Sequence, residues 1–279
     1  LCMDGVGEWA TTSVWLGKGN ALVPQWEIHF PHSLGLLYSA FTQYAGFKVN
    51  SGEYKLMGLA PYGTPRYTTR IYEELIDVKP DGTFRLNLNY FDFPAGLRMI
   101  NQRFCKLFGG PAREPESEIT QKEMDIAASI QVVTEEIVLQ LSRTIAGELG
   151  QTRLCLAGGV ALNCVANGRL LREGPFEDIW IQPASGDAGG ALGAALATHY
   201  EYLGNHRALS EQDPMRGAYL GPSFSNDAIA TALDGLKAVY SKHDDDTLLP
   251  VVAREISEGQ VIGWFSDAME FGPRALGAR

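Results

Sequence analysis

The sequence lacks several features that would place it in a familiar class of protein. No run of residues approaches the ~20 consecutive apolar residues that a membrane-spanning helix needs. Neither G-x-G-x-x-G nor G-x-x-x-x-G-K-[ST] occurs, which argues against Rossmann and P-loop nucleotide sites. The four cysteines form no C-x-x-C pair and no zinc-binding spacing. These absences exclude the commonest motif-based assignments, so the function has to be inferred from other patterns.

Positive charge is also scarce. Lysine and arginine number 23 against 33 aspartate and glutamate residues, a formal charge of −10. Because nucleic-acid binders present a net basic face, this balance disfavours a nucleic-acid partner and favours a small-molecule or nucleotide substrate. Cys155 lies in the apolar run Leu154-Cys155-Leu156-Ala157, where we expect a buried, reduced thiol. A reduced thiol is typical of the cytoplasm, the location that we predict.

A strand, a glycine turn and a helix follow one another twice. A strand over 152–157 leads into Gly158-Gly159, and a helix follows over 163–172. A second strand over 178–182 leads into the glycine-rich segment 185–190 and then into a helix of small residues. This alternation predicts an α/β fold in which ligands contact the ends of the strands.

The remaining segments give a coarse map of the chain. We predict a hairpin over 10–28, a helix over 33–45, an irregular peripheral region over 66–118 and a long helix over 121–149. Thr120 and Glu123 form a capping box for the long helix, and Gly150 ends it. Beyond a polar stretch at 207–217, we predict helices over 227–236 and 251–257 and a strand over 261–265. The predicted domains are 1–215 and 216–279.

Three glycine turns are candidates for contacts with a nucleotide. In Asp4-Gly5-Val6-Gly7, glycine lets backbone N–H groups approach an anion without an obstructing side chain. Gly158-Gly159, with Asn163 downstream, precedes a helix whose N-terminal dipole favours phosphate or ribose. The third turn contains Gly189. Each turn is equally compatible with a simple tight turn or with close packing of a helix against a strand.

Several charged or ionisable side chains are further candidates for the site. Asp187 could coordinate a divalent metal, accept a ribose hydroxyl or merely cap a helix. Lys55 precedes the stiff loop 58–63 and is interpreted either as a phosphate-binding lysine or as a solvated one. Arg274 suits bidentate contacts with an oxyanion. His29 and His32 are interpreted as structural, because no third metal ligand lies nearby in the sequence.

Four ordered motifs carry a family resemblance. Residues 52–63, 157–163, 185–195 and 269–277 resemble the O-carbamoyltransferases, which include nodulation-factor, cephem and aminoglycoside carbamoyltransferases and are related to tRNA threonylcarbamoyl transferases. The resemblance implies that 1–215 is a carbamoyl-transfer domain with an ATPase lobe of the actin/hexokinase/Hsp70 type, truncated at its N-terminus. It implies that 216–279 begins an adenylate-forming α/β domain like threonylcarbamoyl-adenylate synthase, truncated at its C-terminus.

The resemblance also implies a two-step chemistry. Carbamoyl phosphate and ATP give carbamoyl-adenylate, and the carbamoyl group then passes to a hydroxyl of a small-molecule acceptor. The family's metal, iron(II), takes two histidines expected upstream of Leu1 together with aspartates that match Asp4 and Asp187; Mg²⁺ is an alternative. We assign catalytic roles to Asp4 and Lys55. Cofactor contacts are assigned to Gly5, Gly7, Gly158, Gly159, Asn163, Gly189 and Arg274. With parts missing at both ends, the chain alone is expected to be inactive.

One departure from the family pattern keeps an alternative open. The family has Gly-Arg before Met269-Glu270-Phe271, where this chain has Asp267-Ala268. Loss of that arginine removes a phosphate or carbamoyl contact, so a catalytically impaired nucleotide-binding partner subunit is one alternative function. A tRNA threonylcarbamoyl transferase is another, although the acidic charge and the antibiotic-type motifs disfavour it. The sequence does not indicate the acceptor or the oligomeric state.

Overall fold

The computed structural model describes residues 1–207, 212–266 and 268–275. The chain divides into two compact units, Leu1–Arg207 and Ala208–Arg279, which are called the first and second unit below. The predicted domain boundary after residue 215 therefore lies inside the second unit. No helix in the described ranges is long and apolar enough to cross a membrane.

The first unit is built around strands from both halves of its sequence. Strands β1 (Cys2–Met3), β2 (Ala10–Lys18) and β3 (Ala21–His29) form an antiparallel sheet in that order. Further along the chain, β4 (Ile76–Val78) and β5 (Phe84–Leu86) form a separate hairpin, and β6 (Arg153–Leu156) pairs in parallel with β7 (Asp178–Ile181). A parallel bridge between Cys2 and Ala157 joins β1 to the end of β6. The carboxyl ends of β1, β6 and β7 therefore share one edge.

The hairpin and the first helix form where the sequence predicts them. The β2–β3 connection turns at Gly19, which has a φ of +59°, and Asn20, a loop that suits the twist of a tight hairpin. Helix α1 (Leu34–Tyr44) begins at Ser33, whose hydroxyl accepts a hydrogen bond from the Leu36 N–H at 3.0 Å. The cap satisfies one of the backbone donors that every helix start leaves unpaired.

The long helix is confirmed at both ends. Helix α5 (Gln121–Leu149) begins at Thr120, whose N–H donates to the Glu123 carboxylate at 2.9 Å in a capping box. It ends at Gly150, which has the left-handed φ of +59° that favours glycine. The face of α5 that carries Ala127, Ile130, Ile137, Leu141 and Ile145 is buried and forms much of the core of the first unit, and Met124 on the same face is half-buried.

The prediction that 66–118 is irregular and peripheral is wrong. The segment contains α3 (Thr68–Glu74), the β4–β5 hairpin and α4 (Gln102–Leu107), and it contributes several fully buried side chains to the core. The rings of Phe104 and Phe108 pack against each other and against Phe41 and Tyr44, with centroid separations between 5.0 and 5.7 Å. Elements of three to seven residues are too short to show a hydrophobic period, so the sequence does not reveal these helices and strands.

The expected burial of Cys155 is also wrong. Side chains alternate along β6, so Leu154 and Leu156 occupy the buried face and leave Cys155 exposed on the other. All four cysteines, including Cys155, are free thiols.

The remaining helices are α2 (Glu53–Leu59), α6 (Cys164–Glu173) and α7 (Asp187–Ala197) in the first unit and α8 (Asn226–Gly235) and α9 (Asp245–Ser257) in the second. Capping side chains of Ser225 and Asp244 begin α8 and α9. The predicted strand over 261–265 is wrong, since this segment is irregular and Val261 is fully exposed. A strand needs a neighbour for its ladder hydrogen bonds, and none of the described residues pairs with this segment.

A buried carboxylate fixes the loop that follows α2 against α5. The Asp125 carboxylate accepts hydrogen bonds from the Thr64 N–H at 2.8 Å and the Gln121 amide at 2.9 Å, and Arg66 lies 3.2 Å from its second oxygen. Burial raises the pKa of Asp125, but these three partners outweigh burial and hold it below its usual range. Ionised Asp125 therefore stabilises the folded state at neutral pH.

We expect Asp125→Asn to lower the free energy of unfolding by about 1–3 kcal/mol at pH 7, because a buried hydrogen-bonded charge is lost. A depressed pKa contributes stability above the ordinary aspartate value of about 3.9, and that contribution is lost as the pH falls through the lower folded-state pKa. The difference between variant and parent should therefore shrink below about pH 4 in urea titrations. The exposed Asp178→Asn variant is the control, and an equal loss in both variants would contradict the prediction.

Candidate functional site

Three turns meet at the edge where the parallel strands end. Asp4 follows β1, Gly158 follows β6, and Ser185 follows β7. The Gly158 N–H donates to the Ser185 carbonyl at 2.7 Å, and the Gly159 N–H donates to Asp4 Oδ1 at 3.1 Å. The structure thus brings together all three glycine turns that the sequence singles out.

The Asp4 carboxylate is held by one oxygen and open at the other. Its Oδ1 accepts hydrogen bonds from the N–H groups of Gly5 at 2.8 Å and Gly159 at 3.1 Å. Its Oδ2 has no hydrogen-bond partner within the described ranges, and the residue is half-buried. Two backbone donors fix the orientation of the carboxylate through Oδ1, so Oδ2 is available to a ligand.

Gly158 is required by close packing of backbone against backbone. Its φ is +87°, and an added Cβ would lie 2.1 Å from the Met3 carbonyl oxygen. The packing interpretation of this turn therefore accounts for Gly158 without a ligand. Gly159, whose N–H contacts Asp4, has a conformation that other residues adopt.

The start of α1 packs against the Asp4 turn. The buried Ser33 hydroxyl lies 3.0 Å from the Asp4 carbonyl oxygen and 2.6 Å from that of Gly5. A Cβ on Gly35 would lie 2.6 Å from the Asp4 carbonyl oxygen. The sequence analysis missed both residues; serine before an apolar helix signals a cap, but nothing in the sequence identifies its distant partner.

The Asn163 side chain connects the second turn to α5. Its oxygen caps α6 by accepting from the Ala166 N–H at 3.0 Å, and it exchanges two 3.0 Å hydrogen bonds with the Gln131 amide. Gln131 is also bonded to the Tyr38 hydroxyl at 3.0 Å and to Glu135 at 2.8 Å. Asn163 thus retains only one amide hydrogen for the predicted contact with ATP. Gln131 is a further residue that the sequence analysis missed.

Lys55 lies on the exposed face of α2. Helix α2 packs beside the start of α6, where Met57 Sδ lies 3.9 Å from Cys164 Sγ. The Lys55 ammonium group has no hydrogen bond or ion pair with any described residue. It is therefore available to an anion on the exposed face of α2.

The other two predicted glycines have structural explanations. The Gly7 N–H donates to the Ala10 carbonyl at 2.9 Å and closes the turn between β1 and β2. A Cβ on Gly189 would lie 2.1 Å from the Ala184 carbonyl oxygen, so this glycine permits the first turn of α7 to fold back onto the preceding loop. Both positions belong to the converging turns, and neither requires a bound nucleotide.

Asp187 is the first residue of α7, but it does not cap that helix. Gly186 occupies the N-cap position without a side-chain hydrogen bond, which removes the capping interpretation of Asp187. The Asp187 carboxylate is exposed and has no hydrogen-bond partner among the residues that the structure describes. It is therefore a second uncommitted carboxylate on the loop that follows β7.

The described residues fit a metal only in part. They contain no group of three or more histidine, cysteine, aspartate or glutamate side chains that could hold a metal ion. Asp4 and Asp187 together offer at most a partial coordination shell. His29 Nε2 lies 2.8 Å from Glu27, and His32 Nδ1 accepts from the Leu86 N–H at 3.1 Å.

Arg274 belongs to the second unit. There the Phe271 N–H donates to the Ala218 carbonyl at 2.7 Å, and Met269 exchanges backbone hydrogen bonds with the segment 221–222. Arg274 is half-buried just beyond this pairing. Asp267 and residues 276–279, which include the end of the fourth motif, lie outside the described residues.

Two family models match the chain. Residues 1–196 match the model described as "Carbamoyltransferase N-terminus", and residues 253–279 match the one described as "Carbamoyltransferase C-terminus". The first match contains the three converging turns, and the second contains Arg274.

Curated relatives cover the whole chain. It is 65% identical over 281 residues to the uncharacterized protein sll1178 of Synechocystis sp., 37% identical over 280 residues to the nodulation protein NolNO of Sinorhizobium fredii and 38% identical over 285 residues to the nodulation protein NolO of Bradyrhizobium diazoefficiens. These matches include 100% of this chain but only 46%, 39% and 48% of the respective relatives, so the chain spans less than half of their length. The chain belongs to the carbamoyltransferase family.

Proposed function

We propose that the protein is an ATP-dependent O-carbamoyltransferase with a small-molecule acceptor. Water converts carbamoyl phosphate to carbamate and phosphate, and a carbamate oxygen displaces pyrophosphate from the α-phosphorus of ATP. The acceptor hydroxyl then attacks the carbamoyl carbon, loses its proton and displaces AMP. The observation that carries this proposal is the Asp4 carboxylate, which the Gly159 N–H holds in place where the parallel strands end. Family membership supports carbamoyl transfer in general.

The nucleotide is proposed to bind at the second turn. The first N–H groups of a helix and its dipole favour a phosphate, and α6 begins at Cys164, after the short 3-10 turn Gly159–Leu162 that follows Gly158. Gly159 keeps a side chain out of the approach to the backbone of this turn. The exposed Lys55 ammonium group supplies a positive charge from the adjacent helix α2. The actin-type fold of this lobe is likewise a proposal, supported by the mixed sheet that joins β1 to β6.

The open oxygen of Asp4 is proposed to bind the acceptor hydroxyl, directly or through a metal. Because Oδ1 is occupied by two N–H groups, Oδ2 is the atom that accepts the hydroxyl hydrogen bond or ligates a metal. Asp187, on the loop after β7, is the proposed second carboxylate ligand. A divalent metal, iron(II) or Mg²⁺, would polarise the carbamoyl group or lower the pKa of the hydroxyl when bound. Free thiols at all four cysteines accord with the proposed cytoplasmic location.

Release of pyrophosphate from ATP tests the function. In the full-length protein we expect pyrophosphate to form only when carbamoyl phosphate and ATP are both present, because the adenylate forms only from both. Omission of carbamoyl phosphate is the control. Pyrophosphate release that is independent of carbamoyl phosphate would contradict the proposal, as would its absence from protein that binds ATP.

A catalytically impaired nucleotide-binding partner subunit is the second candidate. It is favoured by Ala268, which stands where the family resemblance places an arginine. In that case the protein binds ATP and forms no pyrophosphate, and Ala268→Arg restores pyrophosphate release. The same assay therefore separates the two candidate functions.

A further inference from the structure

A pocket of about 410 Å³ lies in the first unit between the end of β3 and the β4–β5 hairpin. Residues 27–32 form one wall, and Lys79 with residues 83–85 forms the other. None of the four family motifs contributes a residue to it. The proposed carbamoyl transfer therefore leaves this pocket without a role.

Two hydrogen-bond donors in the pocket are uncommitted. His32 Nδ1 accepts from the Leu86 N–H, so the neutral imidazole carries its proton on Nε2. Burial and the nearby Arg85 lower the pKa of His32, which favours that neutral form. The Arg85 guanidinium is exposed and has no hydrogen bond or ion pair within the described residues. An entering molecule thus meets a guanidinium and an imidazole N–H.

The other charges of the pocket are already paired. His29 Nε2 lies 2.8 Å from Glu27, and Lys79 Nζ lies 2.7 Å from Asp77. Asp77 also lies opposite Arg85 in the register of the β4–β5 hairpin. Among the described lining residues, Arg85 is thus the cation without a hydrogen bond or an ion pair.

The hairpin wall is anchored to the core. The Gln140 amide donates to the carbonyl oxygens of Lys79 at 3.0 Å and Pro80 at 2.8 Å. A Cβ on Gly82, at the tip of the hairpin, would lie 2.5 Å from the backbone N of Leu141. The hairpin tip is therefore packed tightly on α5. A preformed wall lowers the entropic cost of binding a small ligand.

We propose that this pocket binds the phosphate group of a small molecule through Arg85 and His32. A guanidinium presents parallel N–H donors that match the oxygens of a phosphate, and the imidazole N–H adds a third donor from the opposite wall. One residue links this pocket to the proposed catalytic turn. Ser33, which follows His32 in the sequence, contacts the carbonyl oxygens of Asp4 and Gly5. Binding here requires neither ATP nor a carbamoyl donor, so it is independent of the proposed function.

Calorimetric titration of the full-length protein with inorganic phosphate, without nucleotide, tests the proposal. We expect saturable binding that Arg85→Gln weakens about tenfold or more, because a charge-assisted bidentate contact is lost. Arg85→Lys keeps the charge and should retain part of the affinity, which covers the case in which Arg85→Gln does not fold. Arg143→Gln, at an exposed position on α5, is the matched control and should bind like the parent.

A parallel titration with glucose 6-phosphate separates the sources of the phosphate group. Tighter binding of the sugar phosphate indicates a phosphorylated metabolite, and equal binding indicates free phosphate. No saturable binding to the parent protein overturns the proposal. Equal affinities of the parent, Arg85→Gln and Arg143→Gln proteins overturn it as well.

Discussion

Gly158→Ala is expected to destabilise the first unit by about 2–6 kcal/mol. The backbone φ of +87° is strained for a residue with a Cβ, at a cost of about 1–3 kcal/mol. The added carbon would also lie 2.1 Å from the Met3 carbonyl oxygen, and forced overpacking of this kind costs about 1–3 kcal/mol more. Neither neighbour is the end of a flexible side chain, so the clash has to be relieved by moving β1 or the turn.

Gly186→Ala is the matched control for this prediction. Gly186 lies in the third converging turn, but its φ is −84° and an added Cβ meets no atom within 4 Å. We expect the free energy of unfolding of Gly186→Ala, measured in urea, to stay within about 0.5 kcal/mol of the parent value. The tryptophan fluorescence of both variants reports unfolding. Equal midpoints for Gly158→Ala and the parent would disprove the close approach of β1 to the second turn.

The long elements could be predicted because their signals are local. Helix α5 combines an apolar face, the Thr120 capping box and a final glycine, all within one stretch of sequence. The Ser33 cap of α1 is equally local. Such signals predict helix ends whatever the rest of the fold is, because they satisfy backbone groups of the same segment.

The segments predicted wrongly depend on contacts with other parts of the chain. The short elements of 66–118 are ordered by aromatic side chains such as Phe104, which pack on α1. The segment 261–265 has the apolar composition of a strand but no partner among the described residues. Packing against α1 orders the first segment, and the second lacks a pairing strand among the described residues, so local propensity alone does not decide either structure.

The candidate site shows the same division. The sequence identifies Asp4 and Gly158 as turn residues after strands, but it does not reveal that Gly158 is needed for packing against Met3. Ser33 and Gln131 act on partners 29 and 32 positions away, so only the folded chain identifies them. A single sequence therefore indicates which turns matter better than it indicates what each residue does.

Asp4→Asn is expected to reduce carbamoyl transfer by ~100-fold or more while the protein stays folded, if the proposed role of its open oxygen is correct. The asparagine oxygen can still accept the N–H groups of Gly5 and Gly159, so the turn is kept. At the second position the substitution replaces an anionic oxygen with an amide N–H₂ group, which neither ligates a metal nor accepts a proton. Metal content and transfer should therefore fall together, with an unfolding free energy within about 1 kcal/mol of the parent.

Asp187→Asn distinguishes an effect on metal binding from an effect on the stability of the turn. Asp187 has no hydrogen bond to any described residue, so its substitution should leave stability unchanged, yet it should lower metal content as Asp4→Asn does if both carboxylates bind one ion. Asp178→Asn, at the exposed start of β7, is the control and should retain full metal content and transfer. Metal analysis of the three purified full-length variants, alongside transfer assays and urea unfolding, distinguishes these outcomes. Normal metal content in Asp187→Asn with a loss in Asp4→Asn would show that the two carboxylates do not share an ion, because each ligand removed from a shared site weakens it.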